Sequence, residues 1–74
     1  MRTLNQTNRN DITVIDSVGG ERAFRRRLME MGLVPGTPIK VLNVAPLGGP
    51  LEIEVRSCRM SMRPQEAARV AVRG

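Results

Sequence analysis

The chain has 74 residues, 41% of them hydrophobic, and a formal net charge of +5 from 12 lysine and arginine residues against 7 acidic ones. This length allows one small domain with a thin core, and no apolar run approaches the roughly 20 residues of a membrane span. The excess of arginine favours an acidic binding partner, although small soluble domains also carry net charge merely to stay dispersed.

The N-terminal part of the chain is polar and rich in asparagine, with Leu4 as its one apolar anchor beyond Met1. We therefore expect residues 1–11 to form a loose segment and residues 12–74 to form a single domain. A first strand is predicted over residues 12–15, where the side chains are β-branched.

A basic amphipathic helix is predicted over residues 21–31. Its apolar stripe consists of Phe24, Leu28 and Met31, which are spaced as i, i+4 and i+7. The opposite face carries three arginines and one methionine: Arg22, Arg25, Arg26 and Met29. Arginine near the start of a helix is unfavourable to the helix dipole, which favours a role in binding for this face.

Two turns are predicted directly after the helix. Gly32 suits the position after the last helical residue, because glycine takes the left-handed conformation there without strain. Leu33 would then fold back on Leu28, and Pro35 with Gly36 would form a second sharp turn. We expect Leu28, Gly32, Leu33 and Gly36 to have structural roles.

The remainder of the chain predicts four more strands and a helical turn. The strand over residues 38–45 has a mixed pattern, which indicates a bulge or burial on both sides. Residues 51–56 alternate cleanly between apolar and charged residues. We place a two-residue turn at Ser57-Cys58, followed by a strand that buries Met60 and Met62.

A helical turn is predicted at residues 64–68 and a last strand at residues 70–72. Five short strands, with one helix between the first two, predict a mainly β fold. We expect a small, partly closed barrel, because closure hides the strand edges that so small a sheet would leave open.

Several kinds of chemistry lack the residues they need. The chain has no histidine, and its one cysteine, Cys58, lies in the predicted turn, so we expect neither an enzyme nor a cofactor. Glu52 and Glu54 share a strand face, but a solvated face is the simpler interpretation than a metal site. One cysteine without a secretory signal indicates a cytoplasmic protein.

Nucleic-acid binding stays open as an alternative, although Phe24, the one aromatic residue, is expected to be buried and so could not stack on a base.

Several segments, in this order, resemble the FeoA family of small cytoplasmic accessory proteins of bacterial ferrous iron uptake: Arg27–Gly36, Ala45–Ile53, Met60–Arg63 and Glu66–Val72. Gly49 and Ser57 depart from the family pattern, and Ser57 stands near a usual turn glycine. The resemblance implies an SH3-like barrel whose partner is the FeoB permease, with its cytoplasmic GTP-binding domain, at the inner face of the membrane. A related domain acts as an interaction module in some metal-dependent repressors, so a regulatory role in transcription is the second alternative.

The candidate docking surface is the outer face of the helix together with the turn that follows it. Its predicted contact residues are Arg22, Arg25, Arg26, Met29, Val34 and Pro35. Leu47, in the glycine- and proline-rich loop 46–50, is a second candidate contact. Arginines around an exposed apolar residue match the composition of binding hot spots, and a merely solvated helix face is the alternative.

Overall fold

The structure is a computed structural model, and it describes residues 2–74. The described chain contains six strands: β1 (Arg2–Thr3), β2 (Ile12–Val18), β3 (Pro38–Val44), β4 (Leu51–Val55), β5 (Cys58–Met62) and β6 (Val70–Arg73). It contains two α-helices, α1 (Arg22–Glu30) and α2 (Pro64–Ala67), and a 3₁₀ helix over Leu4–Gln6. The mainly β prediction is confirmed, and all five predicted strands are present.

All strand pairs are antiparallel, and the strands follow one another across the sheet in the order β1-β6-β2-β3-β4-β5. Among residues 2–74 no pairing joins β1 to β5, so the barrel stays open and β5 is an edge strand. The inner face of the sheet packs against Phe24 and Leu28 of α1, which belong to the same core as Ile15, Ile39 and Ile53.

The N-terminal segment differs from the prediction. Residues 2–11 are not loose, because Arg2 and Thr3 pair with Val72 and Ala71 of β6, while Leu4 is completely buried in the core. The hydroxyl of Thr7 donates a hydrogen bond to the Leu4 carbonyl at 2.6 Å. One buried leucine and a short pairing with the last strand are enough to order a segment whose composition is polar. Met1 lies outside the described residues.

The mixed pattern of β3 has a local cause. Its register with β4 shifts between Val41 and Asn43, which marks a bulge at Leu42. Ile39 and Val41 are buried on one side of the bulge, whereas Val44 beyond it is 36% exposed. Of the two predicted explanations, the bulge is the one that the structure contains.

The turn between β4 and β5 lies one residue earlier than predicted. Val55 pairs with Cys58, so Arg56 and Ser57 form the two-residue loop and Cys58 begins β5. Both loop residues have positive φ, 51° and 68°, which is the conformation of a type I′ hairpin turn. The prediction missed the position because neither residue is a glycine or an asparagine. Met62 is buried as predicted, while Met60 is only partly buried.

Candidate docking surface

Helix α1 ends in a complete Schellman motif. The amide of Gly32 donates to the Met29 carbonyl at 3.0 Å, and the amide of Leu33 donates to the Leu28 carbonyl at 2.9 Å. Gly32 has φ +91°, and both Leu28 and Leu33 are buried. The predicted helix stop, with Leu33 folded back over Leu28, is therefore present.

The second predicted turn follows at once and ties the helix to the sheet. Its closing bond runs from the Thr37 amide to the Val34 carbonyl at 3.1 Å, and Gly36 has φ +92° as a type II turn requires. The amide of Gly36 also donates to the Ile15 carbonyl of β2 at 2.8 Å. Pro35 is thereby held at the surface and exposed, with Val34 half-buried beside it.

The buried stripe of α1 is shorter than predicted. Phe24 and Leu28 are 9% and 2% exposed, but Met31 is 45% exposed, so its predicted burial is wrong. Met31 lies one residue beyond the last helical residue, where the chain already turns away from the helix. Its side chain instead lines a groove between α1 and β5, together with Met60 and Met62.

Arg27 differs from the other arginines of the helix, because it is anchored. Its guanidinium lies 2.8 Å from the Glu66 carboxylate and 5.7 Å from the centre of the Phe24 ring. The guanidinium of Arg69 lies 5.3 Å from the same ring. At these distances both cations interact favourably with the π-electrons of the ring. Helical periodicity places Arg27 next to the apolar stripe, but Glu66 and Arg69 are too distant in the chain to be recognised from the sequence as its neighbours.

The outer face of α1 carries the four residues predicted for it: Arg22, Arg25, Arg26 and Met29, here called the arginine face. All four side chains are exposed, and together they line one shallow depression. Within residues 2–74 none of the three arginines forms an ion pair. Met29 is 59% exposed. The result is a positive surface with an apolar centre, and Glu30 lies beside Arg22 and Arg26 in an adjoining depression.

Leu47 belongs to a different part of the surface. It is fully exposed and has φ +57° in the loop between β3 and β4. Gly48 and Pro50 of this loop line a depression with Ser61, Arg63 and α2. Leu47 is therefore a separate candidate contact beside the β5 edge, and the arginine face is built without it.

Other site chemistry is sparse in the described chain. Within residues 2–74, no three His, Cys, Asp or Glu side chains come together as a metal site. Cys58 is exposed and has no disulfide partner. Neither of the two described helices has the length and apolar composition that crossing a bilayer requires. Phe24 is buried as predicted, so the one aromatic ring of the chain is not available for stacking on a base.

Comparison with known proteins decides the family. A family model described as the FeoA domain matches residues 2–74. The chain belongs to the FeoA domain family. A curated relative, an Fe(2+) transport protein A/Fe(2+) transporter FeoB fusion protein of Porphyromonas gingivalis, is 36% identical over 69 residues. The match covers 93% of this chain but only 8% of the fusion protein.

Solved FeoA structures share both sequence and fold with the chain. The FeoA protein of Chlorobium tepidum is 41% identical, with a TM-score of 0.88 over 96% of this chain and 68% of that one. The FeoA of Stenotrophomonas maltophilia, solved with zinc and described as a prokaryotic SH3 domain protein, is 32% identical. Its TM-score is 0.86 over 99% of this chain and 91% of that one. The expected SH3-like fold is confirmed.

A manganese-dependent transcriptional repressor also has this fold. Its TM-score is 0.87 over 97% of this chain and 35% of the repressor chain, but only 15% of the aligned residues are identical. At this identity the likeness concerns the fold alone.

Proposed function

We propose that the chain is a non-enzymatic accessory protein of bacterial ferrous iron uptake, which docks on the cytoplasmic side of a FeoB-type permease and supports its assembly or activity. The observation that carries the proposal is the fusion protein of Porphyromonas gingivalis, in which a segment 36% identical to this chain shares one polypeptide with an Fe(2+) transporter FeoB. A covalent link holds two modules at high effective concentration, which is useful where the modules work in contact. The protein would then act at the inner face of the membrane through its partner.

We assign the docking contact to the arginine face and the turn beside it. Three unpaired guanidinium groups around Met29 favour an acidic partner surface with an apolar pocket. We include Val34 and Pro35 in this contact, because the turn at Gly36 is bonded to β2 and holds Pro35 exposed at the surface. Leu47 would form a second, separate contact.

The direct test is a calorimetric titration of the protein into the soluble GTP-binding domain of its cognate permease. We expect saturable binding by the native chain, and at least a tenfold loss of affinity for the double variant Arg25→Glu/Met29→Glu, since charge reversal at a docking surface costs several kcal/mol. Both substituted side chains are exposed, so circular dichroism should show an intact fold.

A matched control variant is Arg9→Glu/Ile12→Glu. It changes the net charge by the same amount, and it also replaces an exposed apolar side chain, since Ile12 is 67% exposed. Its two positions lie on β2 and in the loop before it, not on α1. It should bind as the native chain does. Equal affinity of the two folded double variants would contradict the assignment of the arginine face.

A random-sequence oligonucleotide, titrated in parallel at physiological salt, tests the nucleic-acid alternative. Binding to a polyanion through arginines alone would weaken steeply as the salt concentration rises. If the oligonucleotide bound and the permease domain did not, the accessory function would be refuted.

A further inference from the structure

Strand β5 leaves part of its backbone unpaired. Among the described residues 2–74 it lies at the end of the sheet and pairs only with β4, through a two-residue hairpin in which Val55 faces Cys58. In such a hairpin the residues next to the turn form a hydrogen-bonded pair, and bonded and non-bonded pairs then alternate. Cys58, Met60 and Met62 thus direct their amides and carbonyls to β4. Arg59 and Ser61 direct theirs away from it, and both residues are exposed.

An apolar groove runs beside this open edge. It lies between α1 and β5 and is lined by Leu28, Met31, Met60 and Met62, with Arg27 and Glu66 at its rim. We call it the methionine groove. Met31 is 45% exposed and Met60 is half-buried, so the groove presents apolar surface to solvent. Methionine is flexible enough to adapt to differently shaped apolar side chains.

Strand β5 and the residues that flank it carry only positive charges, although Glu54 of β4 stands opposite Arg59. Residues 56–63 contain three arginines, Arg56, Arg59 and Arg63, and no acidic residue. None of the three forms an ion pair within residues 2–74. A second copy of the chain, added edge to edge through β5, would place two positively charged strands side by side, and repulsion between like charges disfavours that pairing. An acidic segment would meet complementary charge.

We infer that the β5 edge and the methionine groove bind an extended acidic segment of a partner protein as an additional antiparallel strand. Arg59 and Ser61 supply the backbone hydrogen bonds of the new pairing. Residues on the inner side of the added strand are apolar and enter the methionine groove, while glutamate or aspartate on the outer side lies opposite Arg59. The surface is separate from the arginine face, and its occupancy does not depend on the proposed function.

The probe is a seven-residue acetylated and amidated peptide that alternates glutamate with valine and leucine, EVELEVE. In antiparallel pairing the residue opposite Arg59 exchanges hydrogen bonds with it, and that residue is a glutamate. N-methylation of the glutamate amides should therefore abolish binding, whereas N-methylation of the valine and leucine amides should leave it within about threefold. A peptide with lysine in place of glutamate should bind at least tenfold more weakly.

The methyl groups of the methionines can be used to locate the bound peptide by NMR. With ¹³C-methyl methionine in the native chain, we expect the NMR signals of Met31, Met60 and Met62 to shift on titration and that of Met29 to stay unchanged. Ser61→Pro removes one outward-facing amide without touching the pairing to β4, and it should lower the affinity at least tenfold. Arg59→Glu should do the same if the proline variant unfolds.

Four results would overturn the inference: no saturable binding of the glutamate peptide, equal binding of the lysine peptide, equal binding of the two N-methylated peptides, or shifts centred on Met29. Each can occur whether or not the permease domain binds the arginine face. The experiments therefore distinguish a failure of this inference from a failure of the proposed function.

Discussion

The guanidinium of Arg27 on α1 lies 2.8 Å from the carboxylate of Glu66 on α2, although the two residues are 39 positions apart in the chain. The other oxygen of Glu66 accepts the backbone amide of Arg63 at 3.0 Å. One side chain therefore caps α2 and joins it to α1. Because both partners also stand at the rim of the methionine groove, this link holds one end of the groove in place.

Replacing Glu66 should separate these two roles. We expect Glu66→Ala to lower the free energy of unfolding by about 1 kcal/mol, mainly through the lost hydrogen bond to the first turn of α2. Glu66→Gln keeps an acceptor for that bond and loses only the ion pair, whose contribution is small because the Arg27 side chain is 59% exposed. Urea unfolding measures the free energy of unfolding of both variants. Equal losses in the two would show that the ion pair contributes more than the hydrogen bond to α2.

Leu4 should be essential to stability despite its polar surroundings. It is completely buried, so Leu4→Ala leaves a cavity and should cost about 2–4 kcal/mol. The matched control is Leu47→Ala, the same substitution at a fully exposed position, which should stay within about 0.5 kcal/mol of the native chain. Urea unfolding curves that placed the two variants together would mean that the N-terminal segment contributes nothing to the core.

Features that depend on near neighbours were predictable from the sequence, and features that depend on distant ones were not. The stop at Gly32 and the alternation of β4 are local, as is the exposure of the outer helix face. The burial of Leu4 depends instead on β6 at the far end of the chain. Likewise, the anchoring of Arg27 requires Glu66, which lies 39 positions further along the chain. The open β5 edge could not be predicted, since no local signal shows whether a barrel closes.

Gly32 tests the helix stop directly. A Cβ at this position would meet only the Arg56 side chain, at 3.7 Å, which is an ordinary contact. The cost of Gly32→Ala is therefore conformational, about 1–2 kcal/mol for an L-residue held at positive φ. D-alanine, introduced by chemical synthesis, prefers positive φ and should be at least as stable as the native chain. Thermal unfolding midpoints that were equal for the two alanine isomers would contradict this explanation.

The turn at Arg56 and Ser57 holds two non-glycine residues at positive φ, so it stores avoidable strain. Ser57→Gly should raise the free energy of unfolding by about 0.5 kcal/mol and the melting temperature by about 2–4 °C. The same substitution at Ser61, an exposed position inside β5, should instead destabilise the sheet, because glycine weakens a strand. Differential scanning calorimetry of the two variants should give shifts of opposite sign.

Asp11 should give the fold a dependence on acid pH. The Asn8 amide, 2.8 Å from its carboxylate, and the Arg2 guanidinium, also at 2.8 Å, together hold the pKa of Asp11 below its ordinary value of 3.8. The folded pKa lies below the unfolded one, so the stabilisation is complete above the unfolded value and is lost as the pH falls through the folded value. The native chain should therefore lose stability relative to Asp11→Asn between about pH 5 and pH 2, measured by urea unfolding at each pH.

Asp16→Asn is the control, because it removes a carboxylate that forms no ion pair within residues 2–74. It should leave the pH dependence of stability as it is in the native chain. A profile flattened equally by both substitutions would show that Asp11 is not the responsible group.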